Sequence, residues 1–199
     1  MKSFRQPQRP KKSSLIIGRK AVRDALQTGV QLDRIYLDTK AVGDEIIQIK
    51  KLASQHAIPV NFVPTARLNS FNVTDHEGTI AQLAKVQYQE LQDIISFVTE
   101  KGESPLFLIL DGITDIRNIG GMARTAYCTG VHAIIIPDKG VGALNEDAIL
   151  TSAGALEKIP VCRVNSLMKA VDELHLNGIK VYATEMKAER NLSSLVESV

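Results

Sequence analysis

Three short runs, LFLILD at 106–111, HAIIIPD at 132–138 and IPVCRV at 159–164, are apolar at consecutive rather than alternate positions. A strand reads this way when helices cover both faces of its sheet, so the pattern predicts a parallel, helix-covered arrangement. The intervening stretches supply the helices, over about 118–129, 146–152 and 166–176. Gly178 stops the last of these, and IKVYAT at 179–184 follows as a further strand. The first half also alternates. LIIGRKAVRDALQTG carries a helical pattern in Ala21, Val22, Ala25 and Leu26, halted by Gly29. RIYLD, PVNFV and GTIAQLAKV read as strands, and DEIIQIKKLASQHA as a helix. Between the halves, YQELQDIISFVTEKGESP contains a helix and then a cluster of turn formers. The expected organisation is a flexible arm over 1–14, a small α/β domain over 15–88, a linker over 89–104 and a parallel-sheet α/β domain over 105–199.

The formal charge of +2 conceals an asymmetry. Residues 1–23 hold eight basic side chains, Lys2, Arg5, Arg9, Lys11, Lys12, Arg19, Lys20 and Arg23, and no acid; the rest hold 16 basic and 22 acidic. A basic leader on an acidic body reads as an arm for a polyanion such as RNA, gripping phosphates without reading sequence, or else as a solvated tail. Cys128 and Cys162 lie in apolar segments without ligand spacing, and the four histidines are scattered, so buried reduced thiols and no metal are expected. No apolar run approaches the roughly 20 residues that span a bilayer. The first 14 residues lack the apolar core of a signal peptide. A cytoplasmic protein is therefore expected.

The richest segment is LILDGITDIRNIGGMARTAYCTG. A strand ends at Asp111, a polar loop follows, and Asn118 is expected to open a helix whose first turn holds Gly120 and Gly121. Ligands of open α/β sheets bind outside the carboxyl ends of the strands, where this loop lies. Two glycines there would let a ligand or an RNA backbone approach exposed N–H groups. Equally, Asn is a preferred N-cap and Gly-Gly serves close helix packing, and spacing alone leaves both readings open. Arg124, turned about 120° from Asn118 and deeper along an otherwise small and apolar helix, is expected to be buried against an anion, from Asp111, Asp115 or a phosphate. Lys139-Gly140-Val141-Gly142 lacks the third glycine of a dinucleotide loop and reads as a flexible connection. His76 reads as structural.

Asn118-x-Gly120-x-x-x-Arg124 after Leu110-Asp111-Gly112 resembles the first motif of the SpoU/TrmH group of SPOUT RNA ribose 2′-O-methyltransferases. Gly18-Arg19-Lys20-Ala21-Val22 is similar to the opening of that family's substrate-binding domain, and His76-Glu77-Gly78-Thr79-Ile80-Ala81 to its end. Ser152-Ala153-Gly154-Ala155, with Glu157 and Pro160, is similar to the segment entering the next catalytic strand. Four motifs occur in order over nearly the whole chain, and the RlmB-like subgroup, which modifies large-subunit ribosomal RNA, is the nearest likeness.

The resemblance implies a small RNA-binding domain followed by a knotted, dimerising SPOUT domain that moves a methyl group from S-adenosylmethionine to a ribose 2′-hydroxyl. It implies catalytic roles for Arg124 and Asn118. It also implies cofactor contacts at Ala183, Thr184 and Glu185. RNA contacts are expected on charge at Arg5, Arg9, Lys11 and Lys12 of the arm and at Arg19 and Lys20, which read equally as a solvated helix face, and on backbone access at Gly120 and Gly121. The family's glycine-x-glutamate loop and its later asparagine-containing knot segment have no counterpart before Val199, so a C-terminally shortened catalytic domain is expected. A non-catalytic RNA-binding or assembly protein is the competing expectation. A small-molecule α/β enzyme is disfavoured, because no paired acid and base or nucleophile constellation is present.

Overall fold

The computed structural model describes residues 14–142 and 144–184. By its own packing the chain divides into two compact units, Met1–Leu167 and Met168–Val199. The first unit contains two sheets.

The first sheet is built from β1 (Leu15–Ile17), β2 (Leu32–Asp38), β3 (Val60–Val63) and β4 (Thr79–Leu83), in the order β1-β4-β2-β3. It is mixed: β4 runs antiparallel to β1 and β2, while β2 and β3 are parallel. The helices are α1 (Arg19–Gln27), α2 (Asp44–Gln55) and the single-turn α3 (Thr65–Asn69). Val22, Ala25 and Leu26 put one stripe of α1 inside; Ile46, Ile49 and Ala53 do the same for α2. Both stripes meet Leu32, Ile35, Leu37 and Ala81 in one core. β1 and α3 were not anticipated. Leu15–Ile17 is too short to show a period and runs straight into a helical pattern, and it becomes a strand because Ile17 finds Ile80 on β4. Gly18 makes the corner at φ 92°, donating to the Thr79 carbonyl.

The expected linker 89–104 contains α4 (Leu91–Glu100), which buries Leu91, Ile94, Ile95 and Val98. The second sheet consists of β5 (Phe107–Ile109), β6 (Ala133–Pro137) and β7 (Val161–Val164), all parallel, in the order β5-β6-β7. Its crossovers are α5 (Ile116–Cys128) and α6 (Glu146–Thr151). Ile119, Ala123 and Ala126 of α5 pack with Ile134, Ile136, Leu144 and Ala148 in a second core. The mixed α/β class and the parallel second sheet follow the sequence reading.

The second unit contributes the main part of α7 (Leu167–Leu176). The strand expected over 179–184 is absent: the backbone there enters no ladder among the described residues. Strand propensity alone does not hold an extended segment, because an unpaired ladder gives its N–H and C=O groups to water. No helix of the described residues is long and apolar enough to cross a membrane.

Candidate functional site

At the carboxyl end of β5 the chain enters a polar loop and then α5. The helix opens two residues earlier than expected, at Ile116, because Asp115 is the cap: its Oδ1 accepts from the Arg117 N–H at 2.9 Å. Asn118 is therefore an exposed third helical residue, and Gly120 and Gly121 fall in the second turn, beyond the free N–H groups of the first. The Asp115 carboxyl is held below the usual value first by the Arg117 N–H, then by the Arg117 side chain. Asp38 is likewise lowered, by the Thr65 hydroxyl and then the Lys40 N–H. A lowered carboxyl stabilises the fold fully above its unfolded value, near 3.8, and loses that contribution as pH falls through the folded value. Melting temperature should accordingly drop below about pH 4, and less steeply in Asp115→Asn, which can still cap but does not titrate.

The two adjacent glycines play opposite parts. Gly120 is buried, and a Cβ there would stand 2.7 Å from the Ala148 carbonyl oxygen, 2.9 Å from Thr151 Cβ and 3.0 Å from the Ser152 nitrogen. It is the point where α5 meets the end of α6, so its expected RNA contact is corrected to a packing role. Gly121 has nothing within 4 Å of where a Cβ would be. Together with Arg117, Asn118, Met122 and Thr125 it lines an open groove of about 530 Å³, floored by Leu108, Ala126 and Val131.

The expectation for Arg124 is also corrected in part. It is exposed, and among the described residues it has no hydrogen-bond or ion-pair partner. Asp115 is occupied by Arg117, 3.5 Å away. Ala123 and Ala126 face the core, whereas Arg124 and Thr125 between them point outward. Arg117, which the sequence reading passed over, lies seven residues earlier and hence on the same face of α5, two turns away, with its side chain 75% exposed. The helix thus offers a polyanion two arginines, beside a groove edged by Asn118 and Gly121.

The loop after β6 is packed rather than flexible at its glycine. A Cβ on Gly142 would overlap Ile116 Cγ2 and stand 2.8 Å from the Thr114 carbonyl oxygen, so this loop backs the one that carries the cap of α5. Asn145 then caps α6 through the Asp147 and Ala148 N–H groups. Ser152, fully buried, donates to Ile149 and accepts from the Leu156 N–H, holding the turn before β7.

On the first sheet, Arg19 is engaged internally. Its Nε donates to the Glu77 carbonyl at 2.9 Å and its Nη1 to that of Val42 at 3.0 Å, tying down a loop in which Glu77 has φ 48°. Arg19 acts as a strut between these loops, while Lys20 next to it is exposed. His76 is structural: Nδ1 accepts from the Gly78 N–H, which leaves Nε2 to donate to Asn69. Ala183 and Thr184 are exposed. Glu185 and the arm residues Arg5, Arg9, Lys11 and Lys12 lie outside the described residues. No cluster of metal-ligating side chains occurs among the described residues.

Two family models match the chain: RNA 2′-O ribose methyltransferase substrate binding over residues 15–89, and the SpoU rRNA methylase family over 105–197. YacO of Bacillus subtilis, assigned to the TrmH family of tRNA/rRNA methyltransferases, is 33% identical over 180 residues, covering 90% of this chain and 72% of its own. A Staphylococcus aureus protein (strain MSSA476) of the same assignment is 36% identical over 172 residues, covering 86% and 69%. The crystal structure of an rRNA methyltransferase from Sinorhizobium meliloti matches with a TM-score of 0.43 at 18% identity, over 89% of this chain and 64% of that one.

Proposed function

Because the chain belongs to the SpoU methylase family, we propose that it transfers a methyl group from S-adenosylmethionine to a ribose 2′-hydroxyl of RNA, ribosomal RNA being the substrate class, as a cytoplasmic homodimer. Residues 15–88 bind the RNA, with Lys20 and the basic arm meeting phosphates, and residues 105–199 carry the transfer. The observation that supports this most directly is the outer surface of α5, where Arg124 is free of internal partners and Asn118 edges a groove with Gly121.

S-adenosylmethionine, when bound, supplies a methyl carbon already activated by its sulfonium, and Ala183, Thr184 and Glu185 are the residues assigned to hold it. The protein's work is then to orient the hydroxyl and let its proton leave. A guanidinium with a pKa above about 12 is a poor base, so Arg124 serves as a clamp on the phosphate beside the target ribose and as a cation facing the alkoxide that develops at O2′. The proton passes to water. Asn118, on the neighbouring face, orients the ribose.

The test is calorimetric titration with S-adenosylmethionine followed by transfer of labelled methyl to ribosomal RNA. Saturable binding and label that is lost when the target ribose is 2′-deoxy support the proposal; transfer that persists on 2′-deoxy RNA, or no transfer by the folded protein, overturns it.

A further inference from the structure

Arg163 lies on β7, in the second sheet, yet its guanidinium spends its hydrogen bonds on the first. Nη1 donates to the Asp33 carbonyl at 2.6 Å and Nη2 to the Leu32 carbonyl at 2.7 Å, both on β2. Its plane lies over the Tyr88 ring, 3.8 Å from the centroid. The Tyr88 hydroxyl in turn meets the buried Asp33 carboxylate at 3.2 Å. Around this centre the two sheets are stitched again. Gln31 takes the Tyr88 N–H on Oε1 and gives Nε2 to the Tyr88 carbonyl. Tyr88 bridges Val161 in parallel, the Gln89 N–H donates to the Val161 carbonyl, and Asn165 reaches Ser54 at 2.9 Å. Val86 and Tyr88 belong with the second core although they follow a strand of the first sheet.

We propose that Arg163 is a positioning residue, which fixes the RNA-binding sheet to the sheet carrying Asn118 and Arg124 so that the segment joining them is a rigid joint and not a hinge. The inference rests on the reading under Proposed function only for what the two sheets do; the joint itself rests on the contacts. An arginine suits this place because its planar fork answers two adjacent carbonyls while its face stacks on an aromatic ring, neither of which a lysine ammonium can do. The cost is visible: burial lowers the guanidinium's affinity for its proton, and its Nε is buried without a partner. Such a residue is kept for the geometry it imposes rather than for net stability. In function, an RNA gripped by one sheet is presented at a set distance from α5, and the enzyme measures from its binding site to its target ribose.

The joint is read without any activity by placing spin labels on the full chain at Cys128 on α5, which is exposed where the sequence reading expected a buried thiol, and at Gln55→Cys, the exposed last residue of α2, with Cys162 buried. The expected result is one narrow inter-label distance in the Gln55→Cys protein with Arg163 intact, and a broadened, longer distribution when Arg163→Ala or Arg163→Lys is added. A broad distribution in the labelled protein with Arg163 intact overturns the proposal, as does an unchanged narrow one when Arg163 is replaced in a folded variant. In transfer assays Arg163→Ala should raise KM for RNA about tenfold while S-adenosylmethionine affinity is unchanged, a split that general destabilisation would not give. Absence of transfer in the wild type would count against the methyltransferase reading and leave the spin-label result standing.

Discussion

Gly120→Val should destabilise the fold by about 3 kcal/mol, whereas Gly121→Ala, one residue along the same helix, should stabilise it by about 0.5–1 kcal/mol. The first substitution drives a branched side chain into the Ala148 carbonyl and the Ser152 nitrogen, backbone atoms that cannot swing aside as a side-chain tip could. The second adds a methyl group to open space and removes a glycine's excess freedom in the unfolded chain. Urea melts of both variants, compared at equal slope, measure the pair. Equal effects of the same sign would mean that α5 and α6 do not meet at Gly120.

Arg124→Ala should lower kcat for methyl transfer by roughly 100-fold or more, the scale on which loss of one donor to a developing oxyanion is felt. Its fold should be untouched, since Arg124 is exposed and has no partner among the described residues to leave behind. Arg124→Lys separates its two assigned tasks: a lysine keeps a charge near the alkoxide but loses the fork that fits a phosphate. Partial recovery of kcat with KM for RNA still high is the expected pattern, in single-turnover assays with saturating S-adenosylmethionine. Full activity in Arg124→Ala would remove the residue from the mechanism.

Much of the second sheet was legible because its strands are apolar at consecutive positions, Arg163 on β7 excepted, a signal that survives in a short window. Leu15–Ile17 was not, since three residues cannot display a period. Nor could the segment 179–184 be judged from its own composition, because a ladder depends on a partner. At the candidate site, spacing left the part of Asn118 and Arg124 open and their likeness to a family motif singled them out, but their surroundings could not be read. Small neighbours suggested a buried Arg124, although the same sequence at 100° per residue turns Ala123 inward and Arg124 outward. The Gly120–Gly121 pair reads as two equal letters until α6 is placed beside one of them. Arg163 was invisible for a different reason: it bonds carbonyls, which every residue has, some 130 positions back along the chain, and no pattern of side chains records that.

The order of strands in the first sheet also bears on how the protein comes to be made. β1 pairs only with β4 there, Ile17 opposite Ile80, and β4 is also the strand that joins β1 to β2. During synthesis the opening strand must therefore wait, unpaired, until the ribosome has released the chain through Leu83. Closing so long a loop costs entropy before any contact repays it, and this makes completion of the first sheet a slow, late event. α1 and α2, whose contacts are local, can form in the meantime and shelter Ile35 and Leu37 until their sheet is closed.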